Sequence, residues 1–204
     1  MGRPALSSEH VQAWREHACE VVLELMSTSG KPDLSLRRLG EALGCSHATP
    51  YRYFKNRDEL FMEVRALCFR RFGRFLRARV EGHQVPTLRL LAITQAYAEY
   101  AERQPVEFQL MFELGQPKPE EFPRAYEVGV AAWSIAEEMV QEAIKAGELR
   151  GNARTIAHEL WAAVHGVVTL NAAGRLTVGR SAEQLITSIT ESLLRAHATH
   201  PTNA

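Results

Sequence analysis

Apolar side chains recur along nearly the whole chain every three or four residues, the spacing that lines one face of an α-helix. No stretch alternates with the period of two expected of a half-buried strand. Ser8 stands where an N-cap belongs, ahead of a stripe of Val11, Trp14, Ala18, Val21, Val22, Leu25 and Met26 that Gly30 and Pro32 bring to a stop. Ser35 then precedes Leu36, Leu39, Ala42 and Leu43, and Gly44 sits at the left-handed position that ends a helix. Ser46 heads a third, very short helix, about seven residues long, over His47 to Tyr53. Asn56 with Glu59 resembles a capping box and opens a long helix to about Glu81, with Leu60, Phe61, Val64, Leu67, Cys68, Phe72, Phe75 and Leu76 on its apolar side. Further helices are expected from Pro86 to about Glu102 and from Pro105 to about Glu113. Gly115 to Pro119 makes a turn-rich break. Glu121 to Ala146, Ala153 to about Ala173 and a last helix capped by Ser181 with Gln184 and reaching about Ala198 complete the pattern, with His197 to Ala204 as a frayed tail. The fold class is therefore all-α, with about nine helices.

Two of these helices are too short to hold together alone, so the stretch from Ser35 to Leu60 needs another justification. Two short helices around a glycine-bearing turn, followed by a third, make a helix-turn-helix. Small and polar residues on the second helix, then Tyr51, Arg52 and Tyr53, suit insertion into a DNA major groove. Trp14, Phe54 and Leu60 read as core. Arg3 in the terminal Gly2-Arg3-Pro4 arm either belongs to a disordered end or reaches a minor groove.

Composition changes the picture little until it is resolved along the chain. The 204 residues suffice for one or two domains, and 46% hydrophobic with 24% charged residues is ordinary for a soluble protein. Three scattered cysteines, Cys19, Cys45 and Cys68, in apolar helical settings suggest reduced thiols, and the N-terminal MGRPALSSEH lacks a signal-peptide core, so a cytoplasmic location is expected. No segment approaches the length of a membrane span. Lys and Arg balance Asp and Glu at 24 each, yet residues 1–80 hold 14 of the first against 9 of the second, which leaves +5 there and −5 in the remainder. Such an excess supplies the sequence-independent attraction to phosphate that DNA binding needs, although a solvated surface would show it too.

The run Tyr51-Arg52-Tyr53-Phe54-Lys55-Asn56-Arg57 to Leu60, together with Ser35, Leu39-Gly40 and Leu43-Gly44-Cys45-Ser46, resembles the DNA-binding domain of the TetR family of bacterial transcriptional regulators. Pro50, where leucine is usual, and Gly40, which replaces an alanine, depart from the family pattern. Trp161, His165 and Gly166, with the Ser46 to Arg52 match, resemble the subgroup with a WHG-type C-terminal domain. The resemblance implies a DNA-binding domain over 1–60 and a helical ligand-binding and dimerisation domain over 61–204, joined by the helix at about 56–81. It implies that His47, Ala48 and Thr49 face bases, while Tyr51, Tyr53, Lys55, Arg57 and Arg37 grip phosphates, with Ser35, Ser46 and Arg52 as further DNA-binding candidates. Pro50 is expected to face inward as the apolar residue of a stiffened short helix.

The same resemblance implies a homodimer that binds a pseudo-palindromic operator in double-stranded DNA and releases it on binding a small, largely apolar effector, most often as a repressor. Dimer candidates are Leu160, Ala163, Gly166, Val167, Leu170, Leu185, Ile189 and Leu193. Tyr97, Tyr100, Phe108, Met111, Phe112, Trp133, Trp161 and His165 would suit an apolar effector cavity, although aromatic residues at helical spacing also build plain core. An activator or a nucleoid-type DNA binder without effector is the alternative. An all-helical enzyme has less support: His158-Glu159 begins an H-E-x-x-H zinc motif, but Ala162 holds the place of its second histidine. No metal, cofactor or membrane partner is expected.

Overall fold

A computed structural model describes residues 7–29, 35–112 and 118–199. Among them are eight α-helices and no named strand: α1 Ser8–Ser29, α2 Leu36–Ala42, α3 Arg57–Val80, α4 Pro86–Arg103, α5 Pro105–Phe112, α6 Pro123–Lys145, α7 Ala153–Ala172 and α8 Ala182–His197, with short 3-10 turns at Pro50–Arg52 and Pro119–Glu121. None of these helices is long and apolar enough to cross a membrane. The Gly2-Arg3-Pro4 arm, the Gly30 and Pro32 stop, most of the Gly115 to Pro119 break and the last five residues lie outside the described residues.

The chain divides into two compact units, one formed by residues up to Arg70 together with Val106–Gly129, the other by Arg71–Pro105 together with Val130 onward. In the first, Val22, Leu39, Phe54, Leu60 and Val64 are fully buried, so the apolar stripes of α1, α2 and the start of α3 share one core. Among the described residues two charged side chains, Arg65 and Glu107, are buried in this unit. Arg65 is 9% exposed and donates from Nε to the Leu110 carbonyl at 2.7 Å, which ties α5 to α3. In the second unit α4, α7 and α8 pack on one another. Buried residues of this unit include Leu90, Ile93, Ile156, Leu160, Val164 and Ile186 on these helices and Ile135 and Val140 on α6. Thr190, also fully buried, donates to Thr94 Oγ1 at 3.1 Å, and Thr94 donates to Leu91 O, so neither hydroxyl is left unsatisfied between α4 and α8. The arginines of the later part of α3 meet acidic partners here: Arg77 pairs with Glu138 at 3.1 Å and Arg79 with Glu99 at 2.5 Å.

Helix ends follow local chemistry closely. Asn152 accepts from Thr155 N–H, and Ser181 with Gln184 makes a full reciprocal capping box. Asn56 Oδ1 accepts from Glu59 N–H at 2.9 Å, but the Glu59 carboxylate reaches back one residue further than expected, to the Lys55 N–H at 2.6 Å. Three expectations need correction. The first helix is capped by Ser7, whose hydroxyl accepts from His10 N–H at 3.2 Å, rather than by Ser8. The tail does not fray at His197: Arg150 N–H donates to its carbonyl at 2.8 Å, Thr199 N–H donates to Glu148 O at 3.1 Å, and its imidazole meets Glu159 at 2.7 Å. The Gly147 to Gly151 turn leaves backbone groups open, and the end of the chain satisfies them. The third correction concerns the short helix after Gly44, which is a sequence of turns.

Candidate nucleic-acid interface

The stretch from Ser35 to Leu60 is assembled from caps. Ser35 Oγ accepts from Arg38 N–H at 3.3 Å and starts α2. Gly44 ends it at φ 63, with Gly44 N–H donating to Glu41 O at 3.1 Å and Cys45 N–H to Gly40 O at 2.9 Å. That pair of bonds is a Schellman stop, which needs a left-handed residue and therefore favours glycine. From Ser46 the chain advances by 3-10 geometry: Thr49 N–H donates to Ser46 O at 2.9 Å, Arg52 N–H to Thr49 O at 3.0 Å and Tyr53 N–H to Pro50 O at 3.0 Å. Pro50 has no N–H, so the bond back to Ser46 O that would make an α-helix cannot form. Thr49 still holds helical angles, φ −63 and ψ −47. The segment is thus a tight helical turn with Pro50 buried, inward as expected.

Gly40 explains how closely that turn approaches α2. A methyl at Gly40 would lie 3.3 Å from Ser46 O, 3.4 Å from His47 Cα and 3.5 Å from the Pro50 ring. Alanine there would crowd the backbone of the turn, so the two departures from the family pattern, Gly40 and Pro50, face each other across one contact.

The underside is held by an arginine that sequence reasoning missed. Arg15 of α1 donates to the Tyr53 carbonyl, to Glu59 at 2.9 Å and to Glu63 at 2.8 Å, and its guanidinium lies 4.7 Å above the Phe54 ring. Burial alone would lower its pKa, but the bonds to Glu59 and Glu63 outweigh this and raise it. Beside it, Trp14 stacks on Tyr53 with ring centroids 3.8 Å apart. Only the adjacency of Trp14 and Arg15 and the carboxylates four apart on α3 hinted at this clamp; a partner forty or more residues away leaves no local signature.

The candidate DNA residues then separate by exposure. Tyr51 is 59% exposed, Ser46, His47, Ala48, Arg52, Lys55 and Arg57 are exposed, and Ser35 and Thr49 are half-buried. Arg37 lies open beside Glu41 at 3.4 Å, His47 is 3.9 Å from the same carboxylate, and Arg57 covers the Phe61 ring at 4.4 Å. Tyr53 is 8% exposed, its ring spent on Trp14, so packing takes most of a side chain expected at phosphate. The Ser46 and Thr49 hydroxyls are hydrogen-bonded at 2.9 Å, which fixes the Thr49 rotamer. A recess of about 450 Å³ opens between this turn and α1, lined by His10, Trp14, Ser46, Ala48, Thr49, Arg52 and Tyr53.

The eight effector candidates are divided between the units: Phe108, Met111 and Phe112 fall in the first, Tyr97, Tyr100, Trp133, Trp161 and His165 in the second. Tyr100 is 4% exposed and packs edge-on against Phe72 and Phe75, as core does. Tyr97, Trp161 and His165 form a chain. Trp161 Nε1–H donates to the Tyr97 hydroxyl at 3.3 Å, and that hydroxyl lies 2.8 Å from His165 Nδ1. The indole can only donate, so the arrangement is satisfied when Tyr97 donates to Nδ1 of a neutral imidazole. Burial pushes the Tyr97 pKa up and the His165 pKa down. A histidine held neutral by the fold stabilises it above the ordinary imidazole range, and that contribution disappears as pH falls through the lowered value. The second unit should therefore lose stability as pH falls below the ordinary imidazole value of about 6.5, and His165→Asn should flatten that dependence in thermal unfolding scans. Equal slopes for both proteins would exclude it.

The dimer candidates are not equally available. Leu160 and Val167 are 3% and 6% exposed and pack inside their own unit. Gly166 and Leu170 are exposed, and Ala163, Leu185, Ile189 and Leu193 are half-buried. A side chain built on Gly166 would meet no heavy atom within 4 Å.

Against known proteins, a family model described as "Tetracyclin repressor-like, C-terminal domain" matches residues 90–193, just over half of the chain. No curated protein matches. Among solved structures, a protein of unknown function from a Rhodococcus species is similar with a TM-score of 0.78 and 27% identity, over 91% of this chain and 95% of that one. The TetR family transcriptional regulator PfmR from Thermus thermophilus is similar with a TM-score of 0.63 and 18% identity, over 87% and 97%. A TetR/AcrR family regulator from Thermobifida fusca gives 0.64 and 20%, over 92% and 100%. The last two likenesses concern the fold.

Proposed function

The chain belongs to the tetracycline-repressor-like family of transcriptional regulators, and on that premise we propose that it is an effector-responsive repressor that binds a pseudo-palindromic operator as a homodimer. Residues 1–60 are its DNA-binding domain and 61–204 its effector-binding and dimerisation domain, with α3 running from one compact unit into the other. The observation that carries the reading is the turn at Ser46–Arg52: its exposed face offers small and polar groups beside the Tyr51 ring, while the proline ring is turned inward. Ala48 and the Thr49 methyl suit thymine methyls, and His47 offers a ring nitrogen to a base edge. Tyr51, Lys55, Arg57 and Arg37, exposed around that face, suit phosphates.

Two-fold symmetry would bring a second head to the other half-site, spaced by one or more helical turns of the duplex. The open face of α7 and the half-buried stripe of α8 support a four-helix contact between subunits. The effector region is assigned to the Tyr97, Trp161 and His165 chain with Trp133, since it combines an apolar wall with a few polar groups. Phe72 on α3 packs edge-on against Tyr97 with centroids 5.3 Å apart, so a ligand that moved Tyr97 would act on the helix that leads to the head. A protein of this kind works beside DNA in the cytoplasm.

A mobility-shift assay on the DNA flanking its own coding region tests the reading. Sequence-specific binding that survives competitor DNA is expected, with a loss of about 1–3 kcal/mol for Thr49→Ala, greatest on the cognate sequence. Tyr51→Ala should weaken all sequences about equally. Binding indifferent to both substitutions and to sequence would refute it.

A further inference from the structure

We propose that the recess between α1 and the reading turn is the seat of a DNA backbone phosphate, and that His10 of α1 is one of its ligands. The proposal rests on the reading of residues 46–57 as the DNA-contacting segment and adds a contact from an element that segment does not include. The recess is a feature of one compact unit, enclosed by residues of α1 on one side and by Ser46, Ala48, Thr49, Arg52 and Tyr53 on the other. Its chemistry points to an anion. The polar side chains that line it are an imidazole, a guanidinium, two small hydroxyls, an indole and a phenol, all able to donate, and no carboxylate is among them.

A base is a poorer fit than a phosphate. The aromatic part of the lining, Trp14 and Tyr53, is already stacked face to face at an interplanar angle of 14°, so those two rings do not part to receive a third between them. Arg15 and its two carboxylates hold the Tyr53 carbonyl from the far side and keep the stack in place. The imidazole and the guanidinium, by contrast, can adjust, since His10 and Arg52 are both exposed. Ser46 and Thr49 border the recess and also belong to the segment that faces bases, so an anion seated here adjoins the base-reading residues. A phosphodiester in the recess would bring α1 against the duplex and set the angle at which Ala48 and Thr49 enter the groove.

The test uses full-length protein, an operator selected from random duplexes, and titrations at several salt concentrations. His10→Ala should weaken operator and non-operator duplex by the same factor, roughly three- to tenfold, as loss of a phosphate contact does. Arg52→Ala should weaken both by roughly tenfold and lower the salt slope by about one. The two losses should be less than additive in the double variant, because both side chains serve one phosphate. Substituting single phosphates of the operator by neutral methylphosphonates should identify one position at which His10→Ala costs nothing further. If the wild-type chain binds no duplex specifically, the reading of the segment itself is wrong. If it binds and His10→Ala changes nothing, or changes preference among base-substituted operators instead of overall affinity, the recess holds no phosphate. Inhibition by inorganic phosphate at constant ionic strength, unaffected by His10→Ala and Arg52→Ala, would also count against it.

Discussion

Arginine in place of Gly166 is expected to leave each chain folded while separating the proposed homodimer. The substitution adds a long charged side chain at a helix position where a Cβ meets nothing within 4 Å, so the subunit's own packing has no objection to it. Removing glycine from a helix interior favours the helix by about 0.5–1 kcal/mol, and the unfolding midpoint should stay the same or rise. A close approach of two α7 helices would not survive it, because a small residue at the crossing is what allows the approach and two guanidinium groups would be driven together there. The operator then sees one head at a time. Losing the second, tethered contact should cost on the order of a hundredfold or more in affinity. Sedimentation or light scattering gives the stoichiometry and a binding titration the affinity. A variant that stays dimeric with full operator affinity would place the subunit contact elsewhere.

Arg15→Met carries the second large effect, and it acts on folding of the head. Methionine replaces most of the apolar stem but none of the three donors, so the Tyr53 carbonyl and the Glu59 and Glu63 carboxylates lose their shared partner. Arg15 is 17% exposed and the glutamates 29% and 30%, so solvent compensates only in part. Charge-assisted bonds of this kind are worth about 1.5–3 kcal/mol each at best, and a loss of about 2–4 kcal/mol for the whole clamp is the expected order. Arg15→Lys should recover little of it, since a point charge cannot reproduce the fork that spans three acceptors. The clearest measurement is hydrogen exchange at the amides of α1 and the start of α3, which should lose protection while those of α7 and α8 keep theirs. Unchanged protection throughout would show the clamp to be ornamental. Cys19, buried on the same helix with its thiol pushed up to about 12, is no reactive substitute handle for such probes.

Much of the helical architecture was legible because helix ends are local chemistry. Ser35, Asn152 and the Ser181 with Gln184 box cap where their side-chain chemistry says they should, and Gly44 stops α2 in a Schellman turn. Local rules failed where two candidates competed or where the partner was remote. Ser7 and Ser8 are equally good caps on paper, and only the path of the chain chose Ser7. The helix expected over His47 to Tyr53 gives way to turns and one 3-10 turn at Pro50–Arg52, because Pro50 lacks the N–H that would bond Ser46 O.

The sequence by itself determined the all-α class, the Ser35, Asn152 and Ser181 caps, the Gly44 stop, the basic and aromatic residues that follow it, and the family. These depend on spacings of three and four residues and on side chains that bond their own backbone. Only the tertiary structure decided that Arg15 underpins the reading turn, that Tyr53 is a stacked core residue, that Leu160 and Val167 pack inside their own unit, and that His10 borders a recess beside Thr49. Each of these is a contact between residues tens of positions apart, or a choice between two faces of one helix. Burial is a property of the packed chain, and no periodicity distinguishes an apolar residue turned to its own core from one turned toward a partner.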